Sequence, residues 1–229
     1  MSEPDRPPQP LVVSLALLTV VSGIVDAVSY LGLGHVFTAN MTGNVVLVGL
    51  AIAGAPGFSL AANLCSLGCF VGGAIVGGRL ALAVQPRREL LVWAVAIEAG
   101  FTAVAAIIGG TVAVVGVGWS RYTVIALLAF SMGMRIAVVR RMAVADMNTT
   151  VVTMTLTGLA SESTFGGGAN PNAAHRAASV LSLFGGALVG AVFEVHVHPG
   201  WALGLATGLL IATAVYFVRA APLDIGLAS

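Results

Sequence analysis

The stretches Gly23-Ile-Val-Asp-Ala-Val28 and Gly133-Met-Arg-Ile-Ala-Val138 resemble each other and place charged residues inside long apolar runs. Two further pairs of stretches follow in the same order: Met41–Val45 with Val152–Leu156, and Gly72–Gly77 with Gly185–Gly190. The offsets within the three pairs are 110, 111 and 113 residues, so the copies drift little. A period of about half the chain predicts an internal duplication. In membrane proteins such a duplication is typical of transporters and channels with a polar site between the halves.

The composition identifies lipid as the solvent of this chain. Its 229 residues are 58% hydrophobic and 8% charged, and the mean hydropathy is +1.01. Soluble domains are about 45–50% apolar and about 25% charged. The net charge of +1 gives no reason to expect an acidic partner, and no nucleic-acid partner is predicted. The lipid bilayer is therefore the first partner that the sequence predicts.

Two of the apolar runs differ from the others by their polar residues. The runs lie at about 11–33, 36–54, 58–83, 90–115, 119–139, 144–161, 177–195 and 200–219. Run 36–54 contains Thr38, Asn40, Thr42 and Asn44, and run 144–161 contains Asp146, Asn148 and five threonines. If all eight runs cross, the arginines outside the spans divide four against five between the two sides. If the two polar runs enter and return, the division is eight against one.

Because cytoplasmic loops collect arginine, the six-span alternative is preferred, with both termini in the cytoplasm. The predicted fold is an all-α, polytopic transmembrane helix bundle of about six spans plus two polar broken or re-entrant segments. Three spans per copy make an inverted 3+3 repeat. The eight-span alternative, with parallel repeats, stays open.

The predicted organisation has one membrane domain. Residues 1–10 form a disordered cytoplasmic tail, residues 11–220 form the transmembrane domain, and residues 221–229 form a C-terminal tail. Within the domain, repeat 1 covers about 11–116 and repeat 2 about 119–220.

The candidate substrate-binding residues are the polar groups of the two repeated clusters and the charges near them. Amide and hydroxyl groups suit a small polar solute or a dehydrated ion, whereas the alternative is hydrogen bonding between helices. A carboxylate inside a span needs a partner, a cavity or a proton. Asp26 is accordingly either a cation or proton site or the partner of an arginine, for which Arg135 is the natural candidate. The predicted set is Asp26, Asn40, Thr42, Asn44, Arg135, Asp146, Asn148, Thr150 and Thr153.

The remaining polar or small residues lie outside this predicted set. Glu98 and Glu194 are flanked by apolar residues, and neither has an acidic counterpart in the other copy. Gly73/Gly77 and Gly186/Gly190, each four residues apart, predict close helix packing. Cys65 and Cys69 are predicted to be packing thiols. The sequence contains no catalytic constellation, metal motif or nucleotide fingerprint, so the chain is expected to be no enzyme and to need no metal or cofactor.

The stretch Gly23-Ile-Val-Asp-Ala-Val-Ser-Tyr-Leu31, followed by Phe37-Thr-Ala-Asn-Met-Thr-Gly-Asn44, resembles the YoaK-like family of bacterial membrane proteins, the domain of unknown function 1275. So does Arg140-Arg-Met-Ala-Val-Ala-Asp-Met-Asn148 with the threonines that follow. The resemblance covers about residues 11–220. It implies a multi-pass protein of the bacterial cytoplasmic (inner) membrane.

Two functions are consistent with these features. The first is a transporter or channel-like permease for a small solute or ion, with a polar midplane site between the repeats. The second is a membrane scaffold or assembly factor whose polar clusters hold helices together. Because a small six-span bundle often dimerises to complete a site, a homo-oligomer is expected.

Overall fold

The computed structural model describes residues 8–84, 87–111, 118–141, 152–163, 167–168 and 173–220, and these residues form an all-helical bundle. Its helices are α1 (Gln9–Gly32), α2 (Met41–Ile52), α3 (Leu60–Ala83), α4 (Arg87–Thr111), α5 (Trp119–Arg141), α6 (Val152–Ser161), α7 (Ala173–His196) and α8 (Pro199–Ala220). The all-α prediction is thereby confirmed. Because α1 begins at Gln9, the last two residues of the predicted tail 1–10 are helical. Residues 1–7 and 221–229 lie outside the described part.

Helix length separates six helices from the other two. The six candidate spans are 21–24 residues long, and a rise of about 1.5 Å per residue carries such a helix across a hydrocarbon core of about 30 Å. Helix α2 has 12 residues and α6 has 10 in the described part, so they reach only about 18 and 15 Å. The structure thus confirms six long apolar helices.

Helices α1 and α5 form the centre of the bundle, since 61% of the most apolar 18-residue stretch of each is buried. Helix α1 packs on α7 and α8, and α5 packs on α3 and α4. Helix α4 also packs on α8, while the short helices α2 and α6 lie against α3 and α7. This list of packed pairs is unchanged when α1–α4 are exchanged with α5–α8, as a duplication would require. The inverted repeat itself stays a prediction.

The tightest crossings occur at glycines, as their spacing predicts. A Cβ atom on Gly186 would overlap the carbonyl oxygen of Val20, and one on Gly190 would lie 2.6 Å from the carbonyl oxygen of Ile24. The contacts advance in the same direction along both helices, so α1 and α7 are parallel. Helices α3 and α5 are parallel for the same reason, through Gly73 against Phe130 and Gly77 against Met134.

Other contacts show which helices are antiparallel. Helix α1 runs against α5, since Arg135 bonds Ser22 near the middle of α1 while Arg121 contacts Gly34 just beyond its end. Because α5 is parallel to α3, α1 and α3 run in opposite directions, and α2 between them makes no net crossing. Helix α7, parallel to α1, is likewise antiparallel to α5, so α6 makes no net crossing either.

These directions sort the described arginines outside the bundle centre onto two faces. The face that carries the start of α1 and the end of α8, called the basic face below, holds Arg79, Arg87, Arg88, Arg140, Arg141, Arg176 and Arg219. The opposite face holds Arg121, at the start of α5.

Adding one methyl group at Gly186 should destabilise the bundle, whereas adding it at the neighbouring Gly185 should not. A Cβ atom at Gly186 would overlap the backbone of α1, but at Gly185 it would meet nothing within 4 Å. Overpacking of this kind costs about 1–3 kcal/mol. Thermal unfolding of the Gly186→Ala and Gly185→Ala variants in detergent measures the difference, and equal melting temperatures would contradict the crossing described here.

Candidate functional site

The chain reverses direction immediately after α1. Gly34 and His35 both adopt left-handed backbone conformations, with φ of 84° and 56°. The chain then runs back along α1: the ring of Phe37 stacks on Tyr30 at a centroid distance of 4.9 Å, and the hydroxyls of Thr38 and Ser29 are 3.3 Å apart. The non-helical segment 33–40 therefore lies beside the last turns of a spanning helix, and α2 begins inside the bundle.

Asp26 receives this returning segment. Its Oδ1 accepts the backbone N–H groups of Thr38 at 2.9 Å and of Ala39 at 2.8 Å. The backbone N–H of Asn40 also interacts with the carboxylate. Non-helical backbone in the hydrocarbon region needs such partners, because no water is available there. The carboxylate thus fixes the segment that leads into α2 and is itself held in one position.

Asn44 secures the same segment from the other side. Its Oδ1 accepts the backbone N–H of Phe37 at 2.8 Å, and its Nδ2 donates to the Phe37 carbonyl at 2.7 Å. Its Nδ2 also lies 3.2 Å from the Ser66 hydroxyl, which donates to the same carbonyl at 2.6 Å. Asn44 is fully buried, so these bonds tie the returning segment to α2 and α3.

A cavity of about 480 Å³ lies where the two polar clusters meet. Its polar wall is made by Asp26, Asn40 and Thr42 from the first half and Thr153 from the second. Apolar residues complete the wall: Ala39, Val46, Val152 and Leu183, together with Gly43. The side chain of Asn40 caps α2 by accepting the backbone N–H of Gly43 at 3.3 Å. The cavity therefore combines one carboxylate with amide and hydroxyl groups at the start of a short helix.

A second polar centre lies at the middle of the bundle, where α1, α4 and α5 meet. Arg135 Nε is 2.8 Å from Glu98 Oε2, and the two side chains are 2% and 0% exposed. Arg135 also donates to the Leu18 carbonyl at 3.0 Å and to the Ser22 hydroxyl at 2.7 Å. Such full burial demands both charge compensation and hydrogen bonds. Arg135 is thus paired with Glu98 rather than with Asp26.

The structure brings together four of the predicted site residues and separates two others. The cavity is lined by Asp26, Asn40, Thr42 and Thr153. Asn44 instead bonds the backbone of Phe37, and Arg135 belongs to the central ion pair. Asp146, Asn148 and Thr150 lie outside the described residues. A substrate-binding role remains a prediction for all nine residues of the predicted set.

Sequence reasoning missed three contributors. Glu98 was visible as a carboxylate in an apolar span, but its partner was not. Ser66 and the carbonyl of Leu18 gave no signal, since an isolated serine and a helical carbonyl are common in any membrane helix.

The fold and this site define a polytopic helical membrane protein with a polar cavity beside a broken segment. Comparison with known proteins agrees: the chain belongs to the family described as "Protein of unknown function (DUF1275)", which matches residues 14–216. It is similar to the UPF0700 transmembrane protein YoaK of Bacillus subtilis (strain 168), with 37% identity over 151 residues. That alignment covers 63% of this chain and 64% of the relative. No solved structure gives a significant match. The family resemblance seen in the sequence is thereby confirmed.

Breaking the central ion pair from one side should cost more than removing it whole. Glu98→Leu leaves the Arg135 charge buried without its carboxylate, which costs about 3–5 kcal/mol. Replacing both residues, Glu98→Leu with Arg135→Met, removes the uncompensated charge and should recover a large part of the loss. Thermal unfolding of the two single variants and the double variant completes the cycle. Additive losses would show that the two side chains do not act as a pair.

Proposed function

We propose that this protein is a transporter or permease for a small polar solute or ion, and that the Asp26 cavity is its binding site. The observation that carries the proposal is the meeting of Asp26, Asn40 and Thr42 with Thr153, which come from different halves of the chain, around one cavity. Transporters commonly bind substrate where a broken helix from one repeat meets the other repeat.

The arrangement of helices supports an inverted repeat. Helix α1 is antiparallel to its counterpart α5, and the packed pairs are unchanged by exchange of the two halves. Two antiparallel copies around a central axis can rock against each other and expose a shared cavity to alternate sides of the membrane. This is the architecture that the proposed activity needs.

We place the protein in the bacterial cytoplasmic membrane with its basic face, and hence both termini, in the cytoplasm. The asymmetry of described arginines supports this orientation, since seven lie on the basic face and Arg121 lies on the other.

The alternative function, a membrane scaffold or assembly factor, is favoured by one specific observation. Asn44 bonds the backbone of Phe37 and the Ser66 hydroxyl, and Oδ1 of Asp26 accepts two backbone N–H groups. Polar side chains used in this way hold helices together without any solute. Solute flux separates the two functions.

Removing cavity hydroxyls should slow solute entry. Purified protein reconstituted in vesicles should accelerate reswelling after a hyperosmotic shock with at least one member of a panel of small polar solutes and salts. Thr42→Val and Thr153→Val keep the side-chain shape but remove a polar group from the cavity wall. Each should lower that rate about fivefold or more, as the loss of one hydrogen bond implies. Thr123→Val is the control, because Thr123 bonds the Trp119 carbonyl at the start of α5. Vesicles no faster than protein-free ones for any solute would favour the scaffold.

The orientation can be tested independently of transport. A single added cysteine at either terminus should be protected from an impermeant thiol reagent in intact cells, provided that Cys65 and Cys69 are first replaced by Ala. A cysteine added beside Trp119, which is 91% exposed on the opposite face, should be labelled. Labelling of a terminus with protection at Trp119 would reverse the proposed orientation.

A further inference from the structure

We infer that the Asp26 cavity selects small organic cations, holding an ammonium group at the carboxylate. The inference rests on the proposed function, because it names the class of solute for the same site. It depends on the charges of the described residues, on the fixed position of Asp26 and on the composition of the cavity wall.

The charge balance favours a cation. Among the described residues that line the cavity, Asp26 is the ionisable one. The nearest buried arginine on the opposing central helix, Arg135, already has a carboxylate partner at 2.8 Å in Glu98. These two charges cancel, which leaves the negative charge of Asp26 without a cationic side chain of its own in the described structure. Backbone N–H groups stabilise this half-buried carboxylate but do not neutralise its charge, so a cationic ligand or a proton is favoured at that point.

The partial positive charge at the start of α2 opposes the binding of a cation, but it is weaker than the negative charge of Asp26. A helix N-terminus carries about half a positive charge, less than the full charge of a carboxylate. The Asn40 side chain also occupies one of the free N–H groups of α2, that of Gly43. The segment 38–40 donates to Asp26 itself, so these N–H groups hold the carboxylate in place rather than offering a site to an anion.

The cavity wall favours an organic cation over a bare metal ion. Its volume of about 480 Å³ falls in the range of about 300–1,000 Å³ typical of small-molecule sites. An ammonium group has three N–H donors, which the Asp26 carboxylate and the hydroxyls of Thr42 and Thr153 can accept. Val46, Val152 and Leu183 offer contact to a carbon chain. The described residues contain no group of three His, Cys, Asp or Glu side chains that could hold a metal ion.

Three two-carbon compounds of similar size test the charge preference: ethanolamine as the cation, ethylene glycol as the neutral analogue and glycolate as the anion. Thermal unfolding of the full chain in detergent is followed as each compound is titrated at constant ionic strength, with sodium and potassium chloride in parallel. A ligand that binds the folded state raises its melting temperature. Ethanolamine should give the largest rise in melting temperature, and Asp26→Asn should raise its apparent Kd about tenfold or more.

The control is Glu194→Gln, which removes a half-buried carboxylate from α7 outside the cavity wall and should leave the ethanolamine response unchanged. If Asp26→Asn does not fold, the ranking of the three compounds on the wild-type chain still decides. A larger response to ethylene glycol, glycolate or either salt, or no response to ethanolamine, would overturn the cation preference. In those cases, solute-dependent reswelling that Thr42→Val slows would leave the proposed function standing. Its absence would remove the proposed function as well.

Discussion

Every polar backbone group at membrane depth needs a hydrogen-bond partner, and the structure around Asp26 follows from that constraint. A continuous helix meets it internally, but residues 33–40 are not helical and return alongside α1. Asp26 accepts two of their N–H groups, and Asn44 bonds both the N–H and the carbonyl of Phe37. These two side chains allow the break, the break allows α2 to begin inside the bundle, and the start of α2 forms one wall of the cavity.

The same constraint acts on charge at the centre of the bundle. Arg135 has its charge matched by Glu98 and further donors taken up by Leu18 and Ser22, so one residue links α5, α4 and α1. Glycines let α7 approach α1 and let α3 approach α5, so that the helix backbones pack closely. This packing matters because the hydrophobic effect does not drive helices together within lipid. Close backbone contact, the Arg135–Glu98 ion pair and the hydrogen bonds of Arg135 therefore hold the central helices in register.

Hydropathy and arginine counting predicted the six long helices, because the thickness of the bilayer sets the length of an apolar span and arginines collect on one side of the membrane. The glycine spacing likewise predicted the close crossings. The partner of Arg135 could not be read from the sequence: Asp26 was the predicted candidate, whereas the packing of α4 against α5 places Glu98 Oε2 2.8 Å from Arg135 Nε. The sequence also identified the first polar cluster. It could not show that Asn40 and Asn44 have different roles, because those roles depend on the backbone path of residues 33–40, which no residue pattern specifies.

The two halves share a packing scheme but not a chemistry. A groove of about 510 Å³ between α3 and α5 is lined by Phe70, Ala74, Ile136 and Ala137, the positions that answer Leu183, Ala187, Asp26 and Ala27 at the repeat offsets. Ile136 thus stands where the first half has its carboxylate, and Gly208 stands where the second half would repeat Glu98. A second copy of either carboxylate would place a further charge in the membrane interior that needs its own partner. The packing scheme can be symmetric because it depends on shape, whereas each charge in the membrane interior needs partners of its own: Arg135 has Glu98, and Asp26 has the backbone N–H groups of Thr38 and Ala39.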